Sequence, residues 1–132
     1  MSDAPAGPAV VDASALLALV FGERLAVERD AFKNGRISTV NLAETLTKMV
    51  DVGAAADEAM ADLEALGLNL TIVDFGRETA ILAAELRAGT KRLGLSLGDR
   101  ACLATARSHG LPVLTADQAW AKLEGFAVVL MR

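Results

Sequence analysis

The chain has 132 residues, 53% of them hydrophobic and 23% charged. That is enough apolar material for one domain with its own core, and too much for a disordered chain. A net charge of −4 counts against a general nucleic-acid binder with a basic surface, and Cys102 as the only cysteine excludes both a disulfide framework and a cysteine-based zinc site.

The Pro/Ala/Gly-rich start, residues 1–8, is expected to be loose. Residues 9–11 read as a first strand. The apolar run 13–21 is short, is bracketed by Asp12 and Glu23, and follows no basic stretch. It is therefore neither a signal peptide nor a membrane span, and a cytoplasmic chain is expected. Residues 37–40 read as a second strand, followed by a helix with the stripe Leu42, Leu46, Met49 and Val50. Ala59, Leu63 and Leu66 form another stripe, stopped by Gly67. A third strand at 70–73 leads to a helix with Ala80, Ile81, Ala84 and Leu86, ending before Gly89. Ala101, Cys102, Thr105 and Ala106 give the next helix a small-residue face, suited to close packing on a sheet, before Gly110 and Pro112. Residues 112–114 read as a fourth strand, Trp120 and Leu123 fall in a last short helix, and 126–130 form a fifth strand. Short apolar strands alternating with helices predict an α/β fold with a mainly parallel sheet, its strands buried on both faces.

In such a sheet ligands bind beyond the carboxyl ends of the strands. Asp12 follows the first strand, Glu44 stands on the first turn of the helix after the second, Asp99 opens the helix before the fourth, and Asp117 follows the fourth. Each acid has an ordinary alternative. Asp12 and Asp117 suit helix starts, and Ser96/Asp99 and Asn41/Glu44 have capping-box spacing. Glu44 lies about 160° from the centre of its helix's apolar stripe at about 100° per residue, so it faces a cleft or solvent. Four carboxylates gathered at one sheet end would raise one another's pKa, unless a divalent cation sits among them. An oxygen-only set without His or Cys suits Mg²⁺ or Mn²⁺ better than zinc, and such an ion suits phosphodiester hydrolysis.

The segments VVDASALLAL, STVNLAE, GLSLGDRACLATA and LPVLTADQAW, in this order, resemble the PIN-domain family, and within it the VapC-type toxins of toxin–antitoxin pairs. The likeness spans residues 10–130 and makes the chain a single PIN-like domain. It implies a three-layer α/β/α sandwich on a parallel five-stranded sheet of order 3-2-1-4-5. It further implies a Mg²⁺- or Mn²⁺-dependent endoribonuclease that leaves a 5′-phosphate and a 3′-hydroxyl. By motif, Asp12, Glu44, Asp99 and Asp117 become the catalytic and metal-binding acids. Ser14 and Thr115 become groups that orient these acids or a metal-bound water, with local backbone bonding the alternative reading for each. The implied partners are RNA, a VapB-type antitoxin that covers the site, and a second copy in a homodimer.

Other residues have plainer readings. Asp74 caps the helix beginning near Arg77, and His109 suits a helix carboxyl end. Cys102 is a buried filler, and Trp120 is core. Arg100, with Lys91 and Arg92 upstream, is either an RNA phosphate contact or solvated surface. Three other functions compete. A phosphoacceptor domain would need an acid beside Asp12 and a lysine after the last strand, and only Asp74 fits it. A catalytically silent PIN-like interaction module would not need all four acids. The same nuclease chemistry on structured DNA is less suited to so short a chain.

Overall fold

The computed structural model describes residues 8–132, so all but Pro8 of the start expected to be loose lies outside the described residues. Five short strands, β1 (Val10–Val11), β2 (Arg36–Ser38), β3 (Thr71–Val73), β4 (Val113–Thr115) and β5 (Val128–Leu130), form one sheet. Its order is β3-β2-β1-β4-β5, and every pairing is parallel. Between them run α1 (Ala13–Val20), α2 (Thr39–Asp51), α3 (Ala56–Ala65), α4 (Arg77–Thr90) and α5 (Leu97–His109).

Successive strand residues point to opposite sheet faces, and this builds three layers. Val10, Val113 and Val128 pair side by side and join one core with Ala83 and Leu86 of α4 and Cys102, Leu103 and Ala106 of α5. Val11, Leu114 and Val129, one residue further along, join the other core with Leu16 of α1, Met49 of α2 and Leu63 of α3. β1 lies at the centre. The chain leaves it in one direction to β2 and β3, while β4 and β5 lie on its other side. The crevice at the carboxyl ends of β1 and β4 is therefore the switch point where such sheets take ligands.

Several local expectations shift. β2 stops at Ser38, whose hydroxyl accepts from Val40 N at 3.2 Å and starts α2 inside the run read as strand. The cap outweighs the β propensity of Thr39 and Val40. The buried line of α2 is Asn41, Thr45 and Met49, whereas Leu42 and Leu46 are only half-buried and Val50 is exposed. That helix packs against α1, α3 and α5 together, so no single apolar stripe sets its face. In α4 the buried residues are Thr79, Ala83, Leu86 and Thr90, and Ala80, Ile81 and Ala84 face outward. The helix runs on through Gly89 to Thr90, whose buried hydroxyl donates to Leu86 O at 2.7 Å. β3 is the sheet edge, and Thr71 and Ile72 are exposed rather than buried. Residues Gln118–Lys122 form a 3₁₀ turn that buries Trp120.

Leu103 has no exposed surface. Leu103→Ala should lower the unfolding free energy by about 2–5 kcal/mol. Val52→Ala, at a residue 71% exposed, should change it by no more than about 0.5 kcal/mol. Urea denaturation of both variants checks this.

Candidate active site

Asp12 is the first residue after β1 and is only 4% exposed. It occupies the N-cap position of α1, yet its side chain makes no cap bond. Instead Asp12 Oδ2 accepts from Ser14 Oγ at 2.5 Å and from Thr115 Oγ1 at 2.9 Å. The same two hydroxyls accept backbone donors, Ser14 Oγ from Ala116 N at 3.0 Å and Thr115 Oγ1 from Asp117 N at 3.1 Å. The turns after β1 and β4 are thus tied through one carboxylate oxygen, and Oδ1 takes part in neither bond. Burial pushes the Asp12 carboxyl from its ordinary 3.8 up to about 6. The two hydroxyl bonds pull against this, and the charges of Asp99 and Glu44 push it further.

Asp99 is half-buried in the first turn of α5. It forms a reciprocal capping box: Ser96 N donates to Asp99 Oδ2 at 2.9 Å, and Asp99 N donates to Ser96 Oγ at 3.1 Å. One carboxylate oxygen is committed to the cap, and the charge still acts on Asp12. For Asp99 the capping and site readings are therefore compatible. Glu44 is exposed and stands in the second turn of α2, because that helix starts at Thr39. Its Oε1 accepts from Asn41 Nδ2 at 2.8 Å, so the Asn41/Glu44 pair is a side-chain contact and not a helix cap. Asp117 is exposed and caps the 3₁₀ turn through Ala119 N at 3.0 Å. It does not figure among the charges acting on Asp12.

Cys102 lies fully buried one turn along α5 from Asp99. Burial, and then the charges of Asp12, Asp99 and Glu44, push its thiol well above the ordinary value and keep it neutral. It is packing, as the sequence suggested, and so is Trp120. Arg100 turns toward α4, donating Nη1 to Ala83 O at 2.9 Å. His109 is exposed at the opposite end of α5 from Asp99. Asp74 does not cap α4. Gly76 takes the N-cap position, and Thr79 Oγ1 accepts from Gly76 N at 3.0 Å. Thr79 supplies the local hydroxyl one turn into the helix, so Asp74 is not needed there.

The donor set fits a hard divalent cation in its chemistry. It is all oxygen, and the charges of Asp99 and Glu44 both bear on the buried Asp12. Among the described residues, no three His, Cys, Asp or Glu side chains are gathered closely enough to hold an ion as they stand. One oxygen each of Glu44, Asp99 and Asp117 is engaged, Glu44 Oε1 by Asn41 and the other two by caps. Asn41 is the polar residue that apolar periodicity missed. Its only sequence signal was an amide three residues before Glu44 on the same helix.

A PIN-domain family model matches residues 9–125. Among solved structures, the chain is 27% identical to a chain of VapBC-5, a member of the VapBC family of toxin–antitoxin systems from Mycobacterium tuberculosis. That match covers 97% of this chain and 99% of that one, with TM-score 0.64. It also shares its fold with VapBC2 from Rickettsia felis bound to a promoter DNA fragment, at 15% identity, 96% and 100% coverage and TM-score 0.72. DNA-bound VapBC from Salmonella typhimurium is a third similar structure, at 18% identity, 92% and 96% coverage and TM-score 0.69. No curated protein matches the chain.

The raised Asp12 pKa has a consequence for stability without metal. Between 3.8 and about 6 the folded chain holds a proton that the unfolded chain has released. This contribution is therefore full below pH 3.8 and lost as pH rises through about 6. In chelator, the stability advantage of Asp12→Asn over wild type should grow by roughly 2–4 kcal/mol between pH 4 and pH 7. Urea melts at the two pH values read it. Ser96→Ala should cost about 1 kcal/mol through the lost cap, measured the same way at pH 7.

Proposed function

The chain belongs to the PIN-domain family, and from that premise we propose that it is a metal-dependent endoribonuclease, the VapC-type toxin of a toxin–antitoxin pair. The observation that carries this reading is Asp12: a buried carboxylate at the β1/β4 switch point, held on one oxygen by Ser14 and Thr115, with the charges of Asp99 and Glu44 bearing on it. An ionised carboxylate in that setting is unfavourable alone and favourable beside a cation.

Asp12, Asp99 and Glu44 are the residues that would hold Mg²⁺ or Mn²⁺, and Asp117, at the mouth of the β4 turn, would complete the set. When bound, such an ion lowers the pKa of a water and offsets charge on a phosphoryl group. Ser14 and Thr115 orient Asp12 by donating to Oδ2, which leaves Oδ1 for the centre. The capping box fixes Asp99 at the start of α5, where the helix end favours negative charge. Arg100 follows Asp99, and the part of its guanidinium not bonded to Ala83 is the candidate for a phosphate contact. RNA as substrate and a homodimer rest on the family likeness. A cognate antitoxin is supported also by the toxin–antitoxin systems among the similar structures. A cytoplasmic location is proposed on the same ground; among the described residues no helix is long and apolar enough to cross a membrane.

The second reading is a catalytically silent interaction module. It is favoured by one observation, the commitment of Asp99 and Asp117 oxygens to caps. RNA cleavage separates the two. Partner-free protein incubated with total cellular RNA and Mn²⁺ or Mg²⁺ should yield discrete new ends, abolished by chelator. Asp12→Asn and Asp99→Asn should each lower the rate by roughly a hundredfold or more, beyond the ~10–100-fold typical of residues behind a ligand. Cleavage absent from well-folded protein at every metal concentration would leave the silent module standing.

A further inference from the structure

We infer that Asn41 is a positioning residue of this centre, fastening the Glu44 carboxylate over Gly98 at the start of α5; the inference rests on the metal-centre reading above. Asn41 is fully buried in α2. Its Nδ2 donates twice, to Glu44 Oε1 at 2.8 Å on its own helix and to Gly98 O at 2.9 Å, 57 residues away. One amide thus links the helix carrying Glu44 to the turn carrying Asp99. The other end of that amide, Oδ1, is buried and has no partner among the described residues. A buried acceptor left unpaired works against stability, so packing alone does not account for an asparagine here. Both of its bonded partners are acceptors, so the position calls for a donor, and Asn supplies two N–H groups on one nitrogen.

Gly98 completes the arrangement. A Cβ on that residue would stand 2.6 Å from Glu44 Cδ and closer still to both carboxylate oxygens. Gly98 lies in the first turn of α5, where glycine is a poor helix former, and no positive φ requires it. What its missing side chain provides is the seat for the Glu44 carboxylate. Leu, Ala or Thr at position 41 would leave that carboxylate, exposed and on a flexible stem, without its tether to α5.

The test is Mn²⁺ affinity by isothermal titration, with thermal melting and RNA cleavage alongside, for wild type, Asn41→Ala, Glu44→Gln, the double variant and Gly98→Ala. Asn41→Ala should weaken Mn²⁺ binding about 10–100-fold, and cleavage should recover as Mn²⁺ is raised in proportion. The double variant should bind Mn²⁺ within about twofold of Glu44→Gln alone, because Asn41 acts through Glu44. Gly98→Ala, which suits a helix, should keep the melting temperature and still weaken Mn²⁺ binding. An Asn41→Ala variant that melts lower but binds Mn²⁺ as wild type does would overturn the inference, as would additive losses in the double variant. If Asn41→Ala does not fold, Gly98→Ala decides, and wild-type affinity there overturns the proposal. Wild-type protein that binds no Mn²⁺ overturns the metal-centre reading itself, and this inference with it.

Discussion

The structure turns on one carboxylate kept out of water. Asp12 sits where the central strand ends, and burial alone would make its ionised form costly. The chain answers with two hydroxyls, Ser14 and Thr115, both aimed at Oδ2. Those hydroxyls also accept from Ala116 N and Asp117 N, so the bonds that steady Asp12 also shape the turn after β4. Two strands adjacent in space, but about a hundred residues apart in sequence, are thereby locked at the end where a ligand would enter.

The other acids reach this point from opposite layers. α2 packs its core residue Met49 on one face of the sheet, and α5 packs Cys102 and Leu103 on the other. Their acidic positions, Glu44 and Asp99, still come near enough for their charges to act on Asp12. The two helices meet through the Asn41–Gly98 bond, and the absence of a side chain at Gly98 makes room for the carboxylate. The small residues Ala101 and Ala104 of α5 are both fully buried. Opposed charge held by buried polar bonds is a poor arrangement for stability, and such strain is commonly found where a protein binds or reacts.

Local hydrogen bonds govern how far each acid is free. Asp12 has the N-cap position without the cap, and its side chain bonds Ser14 and Thr115 instead. Asp99 commits one oxygen to a capping box. Asp117 is turned to its own 3₁₀ segment. Whether an acid is capped is thus decided separately at each residue, by whether a hydroxyl from another segment or a backbone N–H from the same one reaches the carboxylate first.

By itself the sequence determined the order of strands and helices, the parallel class of the sheet and the places of Asp12, Asp99 and Asp117 at element ends. These depend on patterns within a few residues: β-branched runs, glycine stops and acids at helix starts. The resemblance to a known family supplied the strand order, which the pairings now show. The tertiary structure alone decided which face of α2 and α4 is buried and what Asn41 bonds to. A helix packed against several neighbours at once buries polar groups wherever a partner waits, and the partner of Asn41 is a carbonyl 57 residues away. No periodicity in a single helix carries that information, because the bond is defined only when both layers have closed on the sheet.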